Sequence, residues 1–402
     1  MGKLSMVPAS AVLLSFACIC TSLGASDDGL TVLAADNTTF AMDLYRVLAS
    51  DDGNIFFSPF SISTALAMTY AGAGGVTEEQ MRDVLNFSLP GDELHRAFRD
   101  LKAHLDRGTG EDAGFELRTV NALWGQSGYE FLPGFLALLS DDYGSGLRLL
   151  DFSEDPESCR ETINLWVAEQ TAGRIADLIP QELLTTATRL VLTNAIYFKA
   201  DWLFQFDPMG TAPRDFSLLS GVKVEVPTMT VSEHFRTAEG CGYSAVELPY
   251  RERDFFMLVI LPDEGMFSDV EERLDGELVD EIMEGLGDAS LILRLPKFQS
   301  VSRFLLEDAL YGMGMTSAFG PEADFSGMDG TRWLYISSVV HQAFVSVDEY
   351  GTEAAAATAV VMAKMNGESA SPFSVDRPFI YLVMDRTTGT VLFMGRVLDP
   401  RE

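Results

Sequence analysis

Residues 345–372 read Val345-Ser-Val-Asp-Glu-Tyr-Gly351-Thr-Glu-Ala-Ala-Ala-Ala357-Thr-Ala-Val-Val-Met-Ala-Lys-Met365-Asn-Gly-Glu-Ser-Ala-Ser-Pro372. Alanine propensity alone makes the middle of this stretch a helix. A period of two gives a different element. Thr352, Ala354, Ala356 and Thr358 then share one face, and Glu353, Ala355, Ala357 and Ala359 the other. No proline interrupts residues 351–370, and nearly every side chain through Ala359 is small. Such a segment can slide between two existing strands with no bulky group to stop it, and Gly351 offers a free hinge. It reads as a latent strand followed by a polar, small-residue stretch, Gly367–Ser371, suited to an exposed loop.

The sequence before it is rich in helices. Asn37–Leu48 carries Phe40, Ala41, Leu44, Tyr45 and Leu48 at helical spacing. Ser58 is a natural N-cap with Pro59 at the first helical position, and the helix that follows is apolar nearly all round, hence buried. Asp92–His104, Leu132–Tyr143 and Pro156–Thr171 are further helices, and Phe115–Trp124 alternates like a strand. Thr188–Phe198 is a near-continuous apolar run, expected of a strand buried on both faces. Later come strands at Val222–Met229, Tyr243–Pro249, Phe255–Leu261, Leu291–Phe298 and Trp333–Val347, with acidic helical pieces at Ser268–Leu286. Phe379–Asp385 and Thr390–Val397 form a hairpin across Arg386–Gly389. Helices early and strands late, without strict alternation, make the class α+β. Nothing reads as a linker, so the chain after its leader forms one large domain.

That leader is residues 1–24. Lys3 precedes an apolar run, Ala11–Cys20, and small residues occupy 21–26, the pattern of a secretory signal cleaved after Gly24. The domain then spans residues 25–402 and the protein is expected outside the cell, where sequons at Asn37 and Asn86 are candidate glycan acceptors. Cys159 and Cys241 remain after cleavage and read as two separate, mostly buried thiols, a bridge between them being the alternative. A formal charge of −32 repels nucleic acid and anionic membranes, so neither is an expected partner.

Conventional catalytic patterns are missing. The four histidines are His95, His104, His234 and His341, and the chain has no Gly-x-Ser-x-Gly elbow, zinc-type His pair or phosphate-binding loop. The expectation is no enzyme, no cofactor and no metal.

Val347-Asp-Glu-Tyr-Gly351-Thr-Glu-Ala-Ala-Ala-Ala-Thr-Ala resembles the reactive-loop hinge of the serpins, serine protease inhibitors, with an arthropod flavour. The resemblance extends along the chain. It includes Asn54-Ile-Phe-Phe-Ser58-Pro-Phe-Ser61, Leu192-Thr-Asn194-Ala-Ile-Tyr-Phe-Lys-Ala-Asp-Trp202, Leu295-Pro-Lys-Phe298, Asp324-Phe-Ser-Gly-Met328 and the ending Phe393-Met-Gly-Arg396. It implies three sheets, eight or nine helices and an exposed reactive loop at about residues 349–373. The hinge would be Glu349, Gly351, Thr352, Glu353, Ala354, Ala355, Ala356, Ala357, Thr358 and Ala359. Ser58, Ser61, Asn194 and His341 would form a buried polar cluster where the largest sheet opens, with Trp202 near the top of that opening.

The implied activity is suicide inhibition by a monomer. A target serine protease cuts the loop, and the freed hinge inserts before the acyl-enzyme hydrolyses. Counting from the hinge glycine puts the cut at Met365–Asn366, for elastase-, chymotrypsin- or cathepsin G-like targets. A cut one residue earlier, Lys364–Met365, would mean trypsin-like targets. A carrier or storage role without inhibition is the other alternative. Arg96, Arg99 and Lys102 could hold a glycosaminoglycan, as in some family members. Asp92, Glu93, Asp100 and Asp106 interleave with them, which favours a solvated face.

Overall fold

The computed structural model describes residues 24–50, 52–107, 115–352 and 370–402. The chain enters on α1 (Gly24–Leu48), which starts well before the expected Asn37. Leu33 and Ala34 are buried and carry the inward stripe upstream. The short strand β1 (Ile55–Phe57) delivers Ser58, whose Oγ accepts from the Ser61 N–H at 3.1 Å and caps α2 (Pro59–Tyr70). Then come α3 (Gly75–Val84), α4 (Gly91–Leu105), β2 (Phe115–Gln126), α5 (Pro133–Tyr143), β3 (Leu147–Leu150), α6 (Pro156–Gln170) and β4 (Leu190–Asp201). A 3-10 turn at Pro208–Gly210 precedes β5 (Ala212–Ser217), β6 (Lys223–Gly240), β7 (Tyr243–Pro249) and β8 (Phe255–Pro262). Two acidic helices, α7 (Phe267–Glu272) and α8 (Gly276–Gly285), lead to β9 (Gly287–Pro296) and β10 (Phe298–Leu305). The chain closes with α9 (Glu307–Met313), α10 (Ser326–Asp329), β11 (Ile336–Val347), β12 (Gly351–Thr352), β13 (Ser371–Ser374), β14 (Phe379–Asp385) and β15 (Val391–Val397). Ten α-helices among the described residues, the four-residue α10 included, and mixed sheets make the class α+β.

The strands form two hydrogen-bonded networks. One is a six-stranded sheet in the order β10-β11-β12-β4-β2-β3. The other has nine strands and holds the remaining two expected sheets as one ladder, because β6 runs through both. Its start pairs with β5, its middle with β9, and its end, Arg236–Gly240, with β7. The expected strand Leu291–Phe298 is in fact two. Pro296 ends β9 opposite Thr228, and Phe298 opens β10 in the other sheet opposite Val347. Proline removes a ladder donor there, so the break falls beside it.

The six-stranded sheet positions the site. Its core-facing side packs on α2 and on the β14–β15 hairpin, with Phe198 5.4 Å from Phe393 ring to ring. Its other side is covered in the middle by α6. Cys159, Ile163 and Val167 of that helix cluster with Val120 and Trp124 of β2, Val191 and Ala195 of β4, and Val340 of β11.

Candidate functional site

The middle of the sheet carries a buried polar row. β11 and β4 run parallel and in direct contact from Ile336/Leu190 to Phe344/Tyr197, with His341 opposite Asn194. On the far side of β4, Asn121 of β2 also lies opposite Asn194. Three neighbouring strands thus present Asn121, Asn194 and His341 toward α2. The Ser58 N–H donates to His341 Nε2 at 3.2 Å. A backbone N–H can only donate, so the proton sits on Nδ1, which donates to Asn194 Oδ1. Asn194 Nδ2 in turn donates to Ser61 Oγ at 2.6 Å and to Asn121 Oδ1. Ser58 Oγ donates to the Leu392 carbonyl at 2.6 Å. Burial pushes the His341 imidazole down to about 3, so it is neutral in the folded protein. The chain Asn121–Asn194–His341–Ser58 is a transverse clamp. Separating β11 from β4 breaks its central bond.

The top of the same sheet is arranged differently. Beyond Phe344 and Tyr197 the two strands part, and β12 occupies the gap. Thr352 lies opposite Val347 on β11 and opposite Ala200 on β4, and Gly351 lies opposite Asp201. A Cβ on Gly351 would sit 2.0 Å from the Ala200 carbonyl oxygen and 2.8 Å from Asp201 Cα. Glycine is needed there for close approach between backbones, a stricter demand than the conformational freedom expected of a hinge. A tight turn leads in: the Asp348 N–H donates to the Gly351 carbonyl at 3.0 Å, and Asp348 Oδ1 accepts from the Tyr350 N–H at 2.9 Å. Trp202 braces the turn, its Nε1–H donating to the Asp348 carbonyl at 3.0 Å and its backbone N–H to the Tyr350 carbonyl at 2.8 Å.

Glu349 is buried in the same place. Its carboxylate accepts from Lys297 Nζ at 2.6 Å and from Thr211 Oγ1 at 2.7 Å. Burial alone would raise its pKa. The lysine and threonine hydrogen bonds and the lysine charge together outweigh that and hold it below the ordinary carboxylate value.

Ser58, Ser61, Asn194 and His341 thus meet, at the six-stranded sheet rather than at the larger nine-stranded network, and Trp202 lies at the top of that six-stranded sheet. Sequence reasoning missed Asn121, Tyr250, Lys297 and Thr211. Asn121 had a signal, a polar residue on the core-facing side of a strand whose neighbours on that side include Leu117 and Leu123. Of the hinge, Glu349, Gly351 and Thr352 are described, and all three are buried. Glu349, Gly351 and Thr352 are thus not exposed, and Ser371–Ser374 is already strand β13, paired with β9. Glu353, Ala354, Ala355, Ala356, Ala357, Thr358 and Ala359, together with Lys364, Met365 and Asn366, lie outside the described residues, as does the leader through residue 23.

Some expectations are corrected. Asn37 is buried in α1, 2% exposed, and its Nδ2 donates to the Val391 carbonyl at 3.0 Å, so a glycan on that nitrogen has no room in the folded chain. Asn86 is half-buried, with Nδ2 donating to Asp43 Oδ2 at 3.2 Å. Cys159 is a buried free thiol on the sheet-facing side of α6, but Cys241 is exposed, because it sits in the turn between β6 and β7. On α4 the three cations are engaged: Arg96 with the Asp92 carbonyl, Arg99 with Asp142 at 2.9 Å, and Lys102 with Asp106. Among the described residues no helix is long and apolar enough to cross a membrane, and no cluster of His, Cys, Asp and Glu could hold a metal ion.

The family model described as serpin (serine protease inhibitor) matches residues 35–400. The chain is a serpin. It is 42% identical to an uncharacterized serpin-like protein of Thermococcus kodakarensis, covering 90% of this chain and 85% of that one. It is 37% identical to the leukocyte elastase inhibitor of Bos taurus, covering 92% and 99%. Crystalline uncleaved ovalbumin superposes with a TM-score of 0.85 at 28% identity, over 92% of this serpin and all of that chain. Serpin48 of the insect Tenebrio molitor superposes with a TM-score of 0.80 at 30% identity, over 93% of this chain and 98% of that one.

Proposed function

We propose that this serpin is a secreted suicide-substrate inhibitor of serine proteases, and that its loop enters the six-stranded sheet at the gap that β12 already occupies. The observation that carries the reading is the double pairing of Gly351–Thr352 with β4 and β11. Extending that register is arithmetic. Residues 353–362 fall opposite Lys199 down to Leu190, the whole remaining length of β4. Glu353 then meets Lys199, a charge-complementary cross-strand pair. Ala356 meets Ile196 on one side and Ala343 on the other, both fully buried. Thr358 arrives between Asn194 and His341, on the face they share, and its hydroxyl can take up the donor and acceptor freed when their mutual bond breaks.

The opposite face is not open solvent. Ala357 would lie opposite Ala195, under α6, so small side chains are required on both faces in the middle of the strand. About ten new ladder bonds, each worth roughly 1 kcal/mol net, supply on the order of 10 kcal/mol. That rivals a typical domain stability of about 5–15 kcal/mol, so a metastable uncleaved state is reasonable.

In the reaction the protease serine oxygen bonds to the carbonyl carbon of Met365, and the Asn366 amine leaves with the proton. The hinge then inserts before water reaches the ester. Apolar-pocket proteases of the elastase, chymotrypsin or cathepsin G type are the proposed targets, with a cut after Lys364 by a trypsin-like enzyme as the alternative. Elastase, chymotrypsin and trypsin are incubated in turn with the protein, adducts are sought on denaturing gels, and the cut is mapped by mass spectrometry. An SDS-stable adduct with a cut after Met365 is expected. Clean cleavage by all three with no adduct would refute inhibition, and a cut after Lys364 would change the target class. Secretion belongs to the same proposal, and the mass of the exported protein should start at Ala25 and include a glycan at Asn86 but none at Asn37.

A further inference from the structure

Thr352 is held by more than its neighbours' backbones. Its Oγ1 lies 2.8 Å from the Tyr250 hydroxyl, and both groups are buried. The Tyr250 ring has little freedom. It stacks on Trp202 at 4.6 Å with planes 7° apart, meets the Phe198 edge at 5.2 Å, and its backbone bridges to Trp202 just past the end of β7. A phenol boxed in this way loses little further entropy when it makes a hydrogen bond.

The register decides what the contact can do. Thr352 lies opposite Ala200 and Val347 now, and it would lie opposite the same residues in a fully extended strand. The Tyr250–Thr352 bond therefore does not have to break for the loop to insert. It fixes the first rung on which the rest of the strand would be laid. Ordering the first residues of a new strand costs backbone entropy before many ladder bonds have formed. Two residues make few such bonds, so one further hydrogen bond shifts the balance between their seated and released forms by up to about fivefold.

We propose that Tyr250 is a positioning residue that seeds loop insertion by seating Thr352 in insertion register. This rests on the inhibitory reading above. Insertion competes with hydrolysis of the acyl-enzyme, so a less often seated hinge lets more loops be cut without capture. The first cut itself, at residues 364–366, falls twelve or more positions along the chain from Thr352 and should proceed at the same rate.

The test uses the full-length protein and a protease that forms an adduct with the wild type. Titration gives the number of loops cut per protease trapped, and initial cleavage rates are read separately. Tyr250→Phe and Thr352→Val should each raise the uncaptured cuts per trapped protease by up to about fivefold. The double variant should add nothing further, Thr352→Ser should restore the wild-type ratio, and initial cleavage should be unchanged throughout. Thr352→Val keeps the size of the side chain and serves if Tyr250→Phe folds poorly. Unchanged ratios, additive effects in the double variant, or a fall in uncaptured cuts would each overturn the seeding role. If the wild type forms no adduct at all, the inhibitory reading fails instead. The seat is then read by amide hydrogen exchange at residues 351–352, where Thr352→Val should speed exchange and equal rates would overturn the proposal.

Discussion

The two ends of one strand pair, β4 and β11, are built in opposite ways. In the middle they touch directly and are tied by Asn121, Asn194 and His341 to α2. At the top they are held apart by two residues of the loop, with glycine where no Cβ fits. One region is a closed polar clamp and the other an occupied wedge. A sheet meant to stay shut would be closed at both places. In the proposed insertion the wedge is where the sheet begins to open, and the clamp is the tie that breaks as the strand passes.

The comparison breaks most visibly if a charge is placed on the segment that must pass from the wedge to the clamp. Ala356→Arg would have to bury an unpaired guanidinium between Ile196 and Ala343, several kcal/mol against insertion. Loss of all detectable adduct, with loop cleavage retained, is expected on gels. Persistent trapping would mean the strand enters elsewhere.

The clamp has a pH signature. His341 is neutral in the fold with a pKa near 3, against about 6.5 when unfolded. Between those values the unfolded chain binds the extra proton. Stability is therefore greatest above pH 6.5 and falls as pH drops, by up to about 1.4 kcal/mol per unit. Denaturant unfolding of the wild type should show this slope, and His341→Gln should lack it. A parallel pair of curves would remove His341 from the account.

Asn194→Ala removes the central member and strands the His341 donor, an expected loss of about 2–4 kcal/mol in unfolding free energy. Asn121→Ala, at the half-buried end of the row, should cost about 1 kcal/mol. Equal losses would mean the clamp is not centred on Asn194.

Lys297→Met at the wedge leaves Glu349 without its cation. Lys297 is 37% exposed and Glu349 only 8%, so a loss of about 1–3 kcal/mol at neutral pH is expected, below the value for a fully buried pair. The Glu349 pKa is held low in the fold, so the wild type keeps this contribution above the ordinary carboxylate range and loses it as pH falls through the lowered value. The variant should approach the wild type in acid, and a gap that stays constant with pH would count against the ion pair.

Much of this could be read in the chain because burial leaves periodic traces. The capped α2, the apolar β4 and the small-residue hinge each announce themselves by composition and spacing, and His341 stands out as the ionisable residue of a largely apolar strand. Asn121 was legible in principle for the same reason. Tyr250, Lys297 and Thr211 were not, because nothing local distinguishes a surface lysine or a turn tyrosine from one that a distant strand brings against the loop. The burial of Asn37 was hidden in the same way: its partner is the carbonyl of Val391, 354 residues along the chain.

The most direct test of a strand in waiting needs no target protease. The loop is nicked between residues 360 and 366 with a non-target protease, and the thermal midpoint is compared before and after. Insertion of the ten-residue extension should raise the midpoint by on the order of 10 °C or more. An unchanged or lowered midpoint, with the nick confirmed by mass, would contradict the claim that β12 is the start of a longer strand.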